Sequence, residues 1–230
     1  MPTTDHRAHL GASVDPPVKV ACFDLGGVVV RICSSWEEGC AAAGLDVRTG
    51  DITPDSIDEK SKLVHDLTVG AIDGKAFFAA LSAGVNGLYS EQEFERVHRA
   101  WILGEYTGVG AIIRALRQRP SCAVACLSNT NDVHWAQLLG GGGGRYPAIE
   151  ALEHRGASHL FGLAKPDEAI YRAFEQQLNT SGDAILFFDD KQENIDTALA
   201  IGWRAQRIDP SIETAPQIHA ALIAHGVLGT

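Results

Sequence analysis

The sequence has few cations, and it lacks the long apolar runs that a membrane-spanning segment needs. Its 230 residues include 19 Lys and Arg against 29 Asp and Glu, which gives a formal net charge of −10. Such an acidic balance argues against non-specific binding to nucleic acid or to an anionic membrane surface. No apolar segment reaches the length of about 20 residues that a transmembrane helix requires. We therefore expect neither nucleic acid nor membrane among the partners.

The sequence has five cysteines, which is an odd number. Because three of the five cysteines lie in apolar, strand-like runs, we predict reduced core thiols and a cytoplasmic location. We expect Cys122 and Cys126 to share one strand face and to pack in the core rather than bind a metal. The first 16 residues are polar and carry no apolar stretch like that of a signal peptide, so we predict a disordered lead-in. The cysteines are Cys22, Cys33, Cys40, Cys122 and Cys126.

Two common functional motifs are missing as well. The nine histidines form no His-Glu-x-x-His pattern, which excludes that type of zinc site. The five glycines from Gly140 to Gly144 are not followed by Lys-Ser or Lys-Thr, so they do not form a P-loop. We predict a flexible surface loop there.

What the sequence does contain is a buried-strand pattern that ends in an acid. The apolar run Val20–Phe23 reaches Asp24, turns at Gly26 and Gly27, and resumes as an apolar run. Continuous hydrophobicity without alternation predicts a strand covered on both faces, as in a parallel sheet. In open α/β sheets, ligands bind outside the carboxyl ends of the strands, where Asp24 would lie.

The same pattern of strands alternating with helices continues in the second half of the chain. It predicts an α/β fold with a three-layer, Rossmann-like parallel sheet core. The first predicted strand and its turn cover residues 17–30. The later strands are predicted at 122–127, 160–163, 184–188 and 204–208, and Pro166 is predicted in the first turn of a helix.

Residues 34–105 have a different texture, with apolar residues at helical spacing. Ser90 and Glu93 match a capping box at the start of one helix. We see no strand signal in this segment and predict an all-helical insertion after strand one. The α/β core then comprises residues 17–33 and 106–230.

Four predicted strand or loop ends carry polar residues. Each has an ordinary structural explanation, such as a helix cap or a helix start, but adjacent acids repel each other unless a cation is near. A carboxylate such as Asp24 can act as a covalent nucleophile, and Mg²⁺ prefers carboxylate and carbonyl oxygens. These ends are Asp24, Ser128-Asn129, Lys165-Pro166 and Asp189-Asp190.

The four segments resemble the motifs of the haloacid dehalogenase superfamily of hydrolases, and the resemblance covers residues 18 to about 209. It implies that the helical insertion is a cap that closes over the site and selects the substrate. It implies that Asp24 is the nucleophile, that Ser128, Asn129 and Gly27 bind the phosphate, and that Lys165 balances its charge. Mg²⁺ would be held by Asp24, the Gly26 carbonyl and Asp190, with Asp189 beside them. The matching segments are Phe23-Asp24-Leu25-Gly26-Gly27-Val28, Leu127-Ser128-Asn129-Thr130, Lys165-Pro166, and Phe188-Asp189-Asp190 with Asn194.

One position departs from the phosphatases of that superfamily, which usually carry a second Asp, a general acid and base, where this chain has Gly26. General acid–base help is worth about 10²–10⁴ in rate. Three alternatives follow. The protein is a phosphatase with an easily released leaving group or with an acid from elsewhere, a dehalogenase, or a non-catalytic module that binds a phosphorylated ligand or a partner. Candidate replacement acids are His134, His65 and Asp66.

We favour the first alternative, a Mg²⁺-dependent hydrolase of small phosphomonoesters that works through an aspartyl-phosphate. The motif form resembles the branch that includes sugar-1-phosphate phosphatases, so sugar phosphates are candidate substrates.

Overall fold

The computed structural model describes residues 16–49, 54–140 and 145–229, and for residues 54–59 it gives the backbone alone. Residues 1–15 of the predicted lead-in and 141–144 of the predicted glycine loop lie outside the described residues. Within the described part, no helix is long and apolar enough to cross a membrane.

Seven strands in the described residues form two sheets. They are β1 (Val20–Phe23), β2 (Val30–Ile32), β3 (Ile102–Glu105), β4 (Ala123–Ser128), β5 (His154–Ala157), β6 (Ile185–Asp189) and β7 (Arg204–Arg207). The main sheet is parallel in all four of its pairings and has the order β5-β4-β1-β6-β7. Strands β2 and β3 form a separate antiparallel pair.

Helices cover both faces of the main sheet, as the sequence predicts. Ala21 and Phe23 of β1 point into one hydrophobic cluster, and Val20 and Cys22 point into another. Every residue of β1 is therefore buried, which explains the unbroken apolar run. The described helices are α1 (Trp36–Ala42), α2 (Pro54–Thr68), α3 (Gly74–Gly84), α4 (Glu91–Ala100), α5 (Val109–Arg117), α6 (Asp132–Leu139), α7 (Pro147–Ala151), α8 (Ser158–Phe161), α9 (Glu168–Leu178), α10 (Gln192–Ala200) and α11 (Thr214–Ala224).

The cysteines are core residues, in agreement with the prediction. All five are buried and form no disulfide bond. Cys122 and Cys126 belong to the same hydrophobic cluster on one face of the sheet.

Helices α1–α4 lie between β2 and β3 in the chain and have a hydrophobic cluster of their own. This cluster includes Phe77, Phe78, Phe94 and Val97, and Val133 of α6 joins it from the core. The predicted capping box is present, since Ser90 and Glu93 each accept from the other's backbone N–H. The burial of one apolar face explains the helical spacing seen in the sequence.

The prediction that residues 34–105 contain no strand is wrong at the end of that segment. Ile102–Glu105 forms β3, which pairs with β2 about 70 residues earlier in the chain. Such a strand has little local signature because it has four residues, of which only Ile102 is buried. Its pairing partner precedes the helical insertion in the chain. A pattern that is read from neighbouring residues therefore does not indicate this pairing.

Two predictions around Lys165 are also wrong. Residues 160–163 are not a strand, because the strand is His154–Ala157 and Ser158–Phe161 is helical. Strand β5 lies at the sheet edge and its first two residues are half-buried, so it lacks the apolar run of a central strand. Pro166 does not open a helix either, since α9 begins at Glu168 and is capped by Asp167.

The helical insertion packs closely against the core. The Ser158 hydroxyl donates to the Thr68 carbonyl at the end of α2, at 2.6 Å. The N–H of Gly74 donates to Asp132 Oδ2 at 3.2 Å, and a Cβ on Gly74 would lie only 2.2 Å from the Val133 side chain. Glycine at position 74 is thus required for α3 to approach α6 this closely.

Two stacked histidines join α4 to α6. The rings of His98 and His134 are parallel within 6° and their centroids are 3.9 Å apart. His134 Nε2 lies 2.7 Å from the His98 carbonyl, and His98 Nε2 lies 3.1 Å from Asn131 Oδ1. Because both oxygens only accept, each ring donates from Nε2. Burial lowers the pKa of His98 to about 3 and also lowers the pKa of His134.

This pair predicts acid-sensitive stability. Both folded-state pKa values lie below the unfolded value of about 6.5. At a pH between the folded and the unfolded values, the unfolded chain therefore binds more protons than the folded protein. The contribution of this pair to the free energy of unfolding therefore has its full value above about pH 6.5. It falls as the pH drops further, by up to about 1.4 kcal/mol per pH unit for each histidine. Urea denaturation of wild type and His98→Gln/His134→Gln from about pH 7 to about pH 5 measures this, and the double variant should lose less stability. The exposed His65→Gln is the control, and equal acid sensitivity of the wild type and the double variant would contradict the assignment.

Candidate active site

The polar residues predicted at four strand or loop ends meet at the carboxyl ends of the strands of the main sheet. Asp24 follows β1, Ser128 ends β4 and Asp189 ends β6, and these three strands are neighbours. Because neighbouring parallel strands have their carboxyl ends on the same side of the sheet, their last residues lie close together. Lys165 reaches the same place from the loop between α8 and α9.

Lys165 is the cation of the site. Its side chain is 0% exposed, and its Nζ lies 2.6 Å from Asp189 Oδ2 and 3.2 Å from Asp24 Oδ1. Burial lowers the pKa of Lys165, but the carboxylates of Asp24 and Asp189 outweigh burial, and the net pKa is raised. The ammonium therefore stays charged between the two carboxylates.

Asp189 is held by three further hydrogen bonds. Asn194 Nδ2 lies 3.0 Å from both carboxylate oxygens, and the Lys191 N–H donates to Oδ1 at 2.8 Å. Both oxygens of Asp189 thus already accept hydrogen bonds, which suits a residue that positions the neighbouring Lys165. Asn194 is 2% exposed and lies five residues after Asp189 on α10. The sequence marked Asn194 only as part of a motif, and its contact with Asp189 gives it a structural role.

Asp24 is oriented from two sides. The Leu25 N–H donates to Asp24 Oδ1 at 2.7 Å, and Lys165 Nζ approaches the same oxygen. Burial is the largest cause that raises the pKa of Asp24 to about 6; Asp189 and Asp190 add to it, while Lys165 and a hydrogen bond from Ser128 oppose it. Ser128 therefore lies beside Asp24, at the end of the neighbouring strand β4.

Asn129 uses its side chain on the backbone of Lys165. Its Nδ2 donates to the Lys165 carbonyl at 2.8 Å, and its Oδ1 accepts from the Lys165 N–H at 2.9 Å. This reciprocal pair ties the end of β4 to the loop that carries Lys165. The sequence predicted Asn129 as a phosphate-binding residue and gave no sign of this contact.

The Gly26-Gly27 turn is tightly enclosed. Gly27 has φ +77°, and a Cβ there would lie 2.8 Å from Asp190 Cγ and Oδ2. A Cβ on Gly26 would lie 3.3 Å from Ile32 Cδ1. The turn therefore runs between Asp190 on one side and Ile32 on the other, and glycine at position 27 lets the backbone approach the acid.

The carboxylates of this site fit a divalent cation. One oxygen from each of Asp24, Asp189 and Asp190 can be chosen so that all lie within 4.8 Å of one another. Burial raises the pKa of Asp190, and the neighbouring Asp189 raises it further. Three acids face one buried ammonium, and this excess of negative charge together with an all-oxygen donor set suits Mg²⁺.

The three candidate replacement acids have other surroundings. His134 is engaged with His98 and Asn131 at the contact between α4 and α6. Asp66 forms an ion pair with Lys62, and His65 is exposed on the same helix. None of the described hydrogen bonds or ion pairs joins these residues to Asp24, Lys165 or Asp190.

The chain is similar to proteins named as phosphatases over part of its length. It is 33% identical over 72 residues to "Phosphatase MT3486" of Mycobacterium tuberculosis, which covers 31% of this chain and 33% of that protein. It is 36% identical over 62 residues to "Sesquiterpene phosphatase astK" of Aspergillus oryzae, 27% of this chain and 32% of that protein. The matches thus span about a third of the length of these curated relatives.

Solved structures share the fold over nearly the whole chain. A HAD-like family hydrolase from Porphyromonas gingivalis has a TM-score of 0.72 and 23% identity over 90% of this chain and 98% of its own. The enzyme bt-2542 from Bacteroides thetaiotaomicron, in complex with magnesium and inorganic phosphate, has a TM-score of 0.70 and 20% identity over 87% of this chain and 98% of its own. At these identities the likeness establishes the fold alone.

A family model for haloacid dehalogenase-like hydrolases matches residues 18–202, which include Asp24, Ser128, Lys165 and both acids after β6. This chain therefore belongs to the haloacid dehalogenase-like hydrolases.

Proposed function

We propose that the protein is a Mg²⁺-dependent phosphatase of small phosphomonoesters. The observation that carries this is the contact of Asp24 with a fully buried Lys165, next to two further carboxylates. The two partial relatives are named as phosphatases, and one structural neighbour was solved with magnesium and inorganic phosphate. These findings support the proposal.

Asp24 is the proposed nucleophile. A carboxylate oxygen of Asp24 attacks phosphorus, the bond from phosphorus to the ester oxygen breaks, and an aspartyl-phosphate forms. The Leu25 N–H and Lys165 fix the rotation of the carboxylate before the attack. Water then attacks phosphorus, the bond to Asp24 breaks, and inorganic phosphate leaves.

The remaining residues bind and neutralise. Lys165 faces the negative charge on Asp24 and on the transferring group, which is the type of electrostatic help that lowers such barriers. We assign the Ser128 hydroxyl and the backbone near Asn129 and Gly27 to phosphoryl oxygens. Asp24, Asp190 and the Gly26 carbonyl would hold Mg²⁺, with Asp189 next to them. The ion, when bound, neutralises negative charge on the phosphate and helps to orient it.

Because Gly26 has no acid, the leaving oxygen takes its proton from water. This favours substrates whose leaving group is released easily, such as anomeric sugar phosphates and acyl phosphates. We assign helices α1–α4 to a cap that excludes water and selects the substrate. The free, buried cysteines support a reducing, cytoplasmic location.

A substrate panel assayed with Mg²⁺ and with EDTA tests the proposal. The panel contains p-nitrophenyl phosphate, an anomeric sugar phosphate, an acyl phosphate and a 2-haloacid. We expect phosphate release that EDTA abolishes. Halide release that is insensitive to EDTA would instead identify a dehalogenase. Binding of phosphate without turnover of any compound would identify a non-catalytic module.

Replacing Asn129 with Ala should lower kcat about 10²-fold with a smaller change in KM. The reason is that Lys165 loses both backbone hydrogen bonds to Asn129, and small misplacements of a catalytic group cost about this much. Steady-state kinetics on the best substrate of the panel measures the split. Gln192→Ala, which removes an exposed amide from α10, is the control and should change neither parameter. A large rise in KM with kcat unchanged would show that Asn129 binds substrate instead.

A further inference from the structure

Ile32 is a large apolar residue that is 43% exposed at the end of β2. The pairing of β2 with β3 shifts register between Arg31 and Ile32. Such irregularities redirect a side chain and are common next to active sites. Leu103 on β3 is exposed to a similar degree, 41%, and gives an internal comparison.

The side chain of Ile32 lies beside the turn that follows the nucleophile. Its Cδ1 and Cγ2 are 3.3 and 3.7 Å from the position that a Cβ on Gly26 would take. A Cβ on the next residue of the turn, Gly27, would lie 2.8 Å from Asp190 Cγ. Ile32 therefore occupies the space into which a side chain at position 26 would extend, beside the proposed metal ligands.

This arrangement is held by backbone hydrogen bonds. The N–H groups of Val28, Val29 and Val30 all donate to the Leu25 carbonyl, at 3.3, 2.9 and 2.8 Å. The Gly27 N–H donates to the Val30 carbonyl at 2.9 Å. The turn and the start of β2 thus form one closed loop, so Ile32 has a fixed place relative to Asp24.

We propose that Ile32 contacts the leaving group of the substrate and selects an apolar one. This inference rests on the proposed phosphatase function and narrows its substrate class, away from sugar phosphates and towards a phosphomonoester whose oxygen is attached to an apolar carbon skeleton. Where an acid would give a proton to the leaving oxygen, this chain presents two methyl-bearing branches. They provide no proton, but they exclude water and gain free energy by covering apolar carbon. When the bond from phosphorus breaks, its electrons stay on the ester oxygen, which takes a proton from water.

The test compares Ile32→Ala with the wild type on phenyl phosphate and on glycerol 2-phosphate. Because hydrophobic pockets discriminate by about 10-fold or more per lost group, kcat/KM for phenyl phosphate should fall about tenfold. For glycerol 2-phosphate it should change less than about twofold, and inhibition by inorganic phosphate should be unchanged. Leu103→Ala is the matched control and should alter neither substrate. If Ile32→Ala does not fold, Ile32→Thr keeps the β-branched shape and should lose the same preference.

Each result has a distinct meaning. An active wild type in which Ile32→Ala lowers both substrates equally, or neither, would overturn this inference and leave the phosphatase function standing. A wild type that releases no phosphate from either substrate and does not bind inorganic phosphate would overturn the proposed function itself.

A second experiment uses the variant Gly26→Asp, alone and combined with Ile32→Ala. The added acid should raise glycerol 2-phosphate hydrolysis more in the double variant, where it has room, and equal rates would contradict the placement of Ile32.

Discussion

Replacing Asp24 with Asn should lower phosphate release at least about 10⁴-fold, since removing the nucleophile of a covalent mechanism removes nearly all of the catalysis that depends on it. The variant should still fold. Asn keeps an oxygen that can accept from the Leu25 N–H, and Lys165 keeps its contact with Asp189. The measurement is kcat on the best substrate, with the midpoint of thermal unfolding as the check on folding.

Asp209→Asn is the matched control for Asp24→Asn. Asp209 also follows a strand of the main sheet, but it is exposed and bonds within its own loop to Ser211. We expect this variant to keep full activity. Substantial phosphate release by Asp24→Asn, within about tenfold of the wild type, would show that another group attacks phosphorus.

Replacing Lys165 with Met should reduce both stability and activity. The substitution leaves Asp24 and Asp189 buried without their cation, and removing one partner of a buried ion pair costs about 3–5 kcal/mol. Loss of the electrostatic contribution should lower kcat by about 10²–10³. Urea denaturation and steady-state kinetics measure the two effects on the same preparation.

Lys62→Met is the control for Lys165→Met. Lys62 also pairs with an aspartate, Asp66, but its side chain is 75% exposed and the pair lies within one helix. Exposed pairs of this kind add little to stability, so neither the free energy of unfolding nor kcat should change noticeably. Equal effects of the two substitutions would mean that Lys165 does not neutralise the acids as described.

The core of the fold could be predicted because its signals are local. Strands β1, β4 and β6 are covered on both faces, so each appears as an unbroken apolar run. The polar residues at their ends follow these runs directly in the sequence. Once the strands are placed side by side, the meeting of Asp24, Ser128 and Asp189 follows from the parallel sheet.

The features that the sequence did not reveal depend on distant partners or on short elements. Strand β5 is an edge strand and β3 has one buried residue, so neither carries a clear pattern. The contact of Asn129 with the backbone of Lys165 joins residues 36 positions apart. The place of Ile32 depends on a hairpin whose second strand follows the whole helical insertion.

The position of Gly26 shows the same limit most clearly. The sequence revealed that an acid was missing there, and it suggested three residues that could replace it. Only the fold shows that His134 is engaged elsewhere and that Ile32 lines the space in question. The first fact comes from packing between helices α4 and α6, and the second from the fold of the short turn that leads from Gly26 to Ile32.

The proposed mechanism requires that Asp24 carries the phosphoryl group during turnover. The most direct measurement is to quench the enzyme with acid during turnover in the presence of Mg²⁺ and to analyse its peptides by mass spectrometry. The peptide containing Asp24 should gain the mass of one phosphoryl group, and neither Asp24→Asn nor an EDTA-treated sample should show this gain. Rapid phosphate release without any such adduct at Asp24, or with the adduct on another residue, would contradict it.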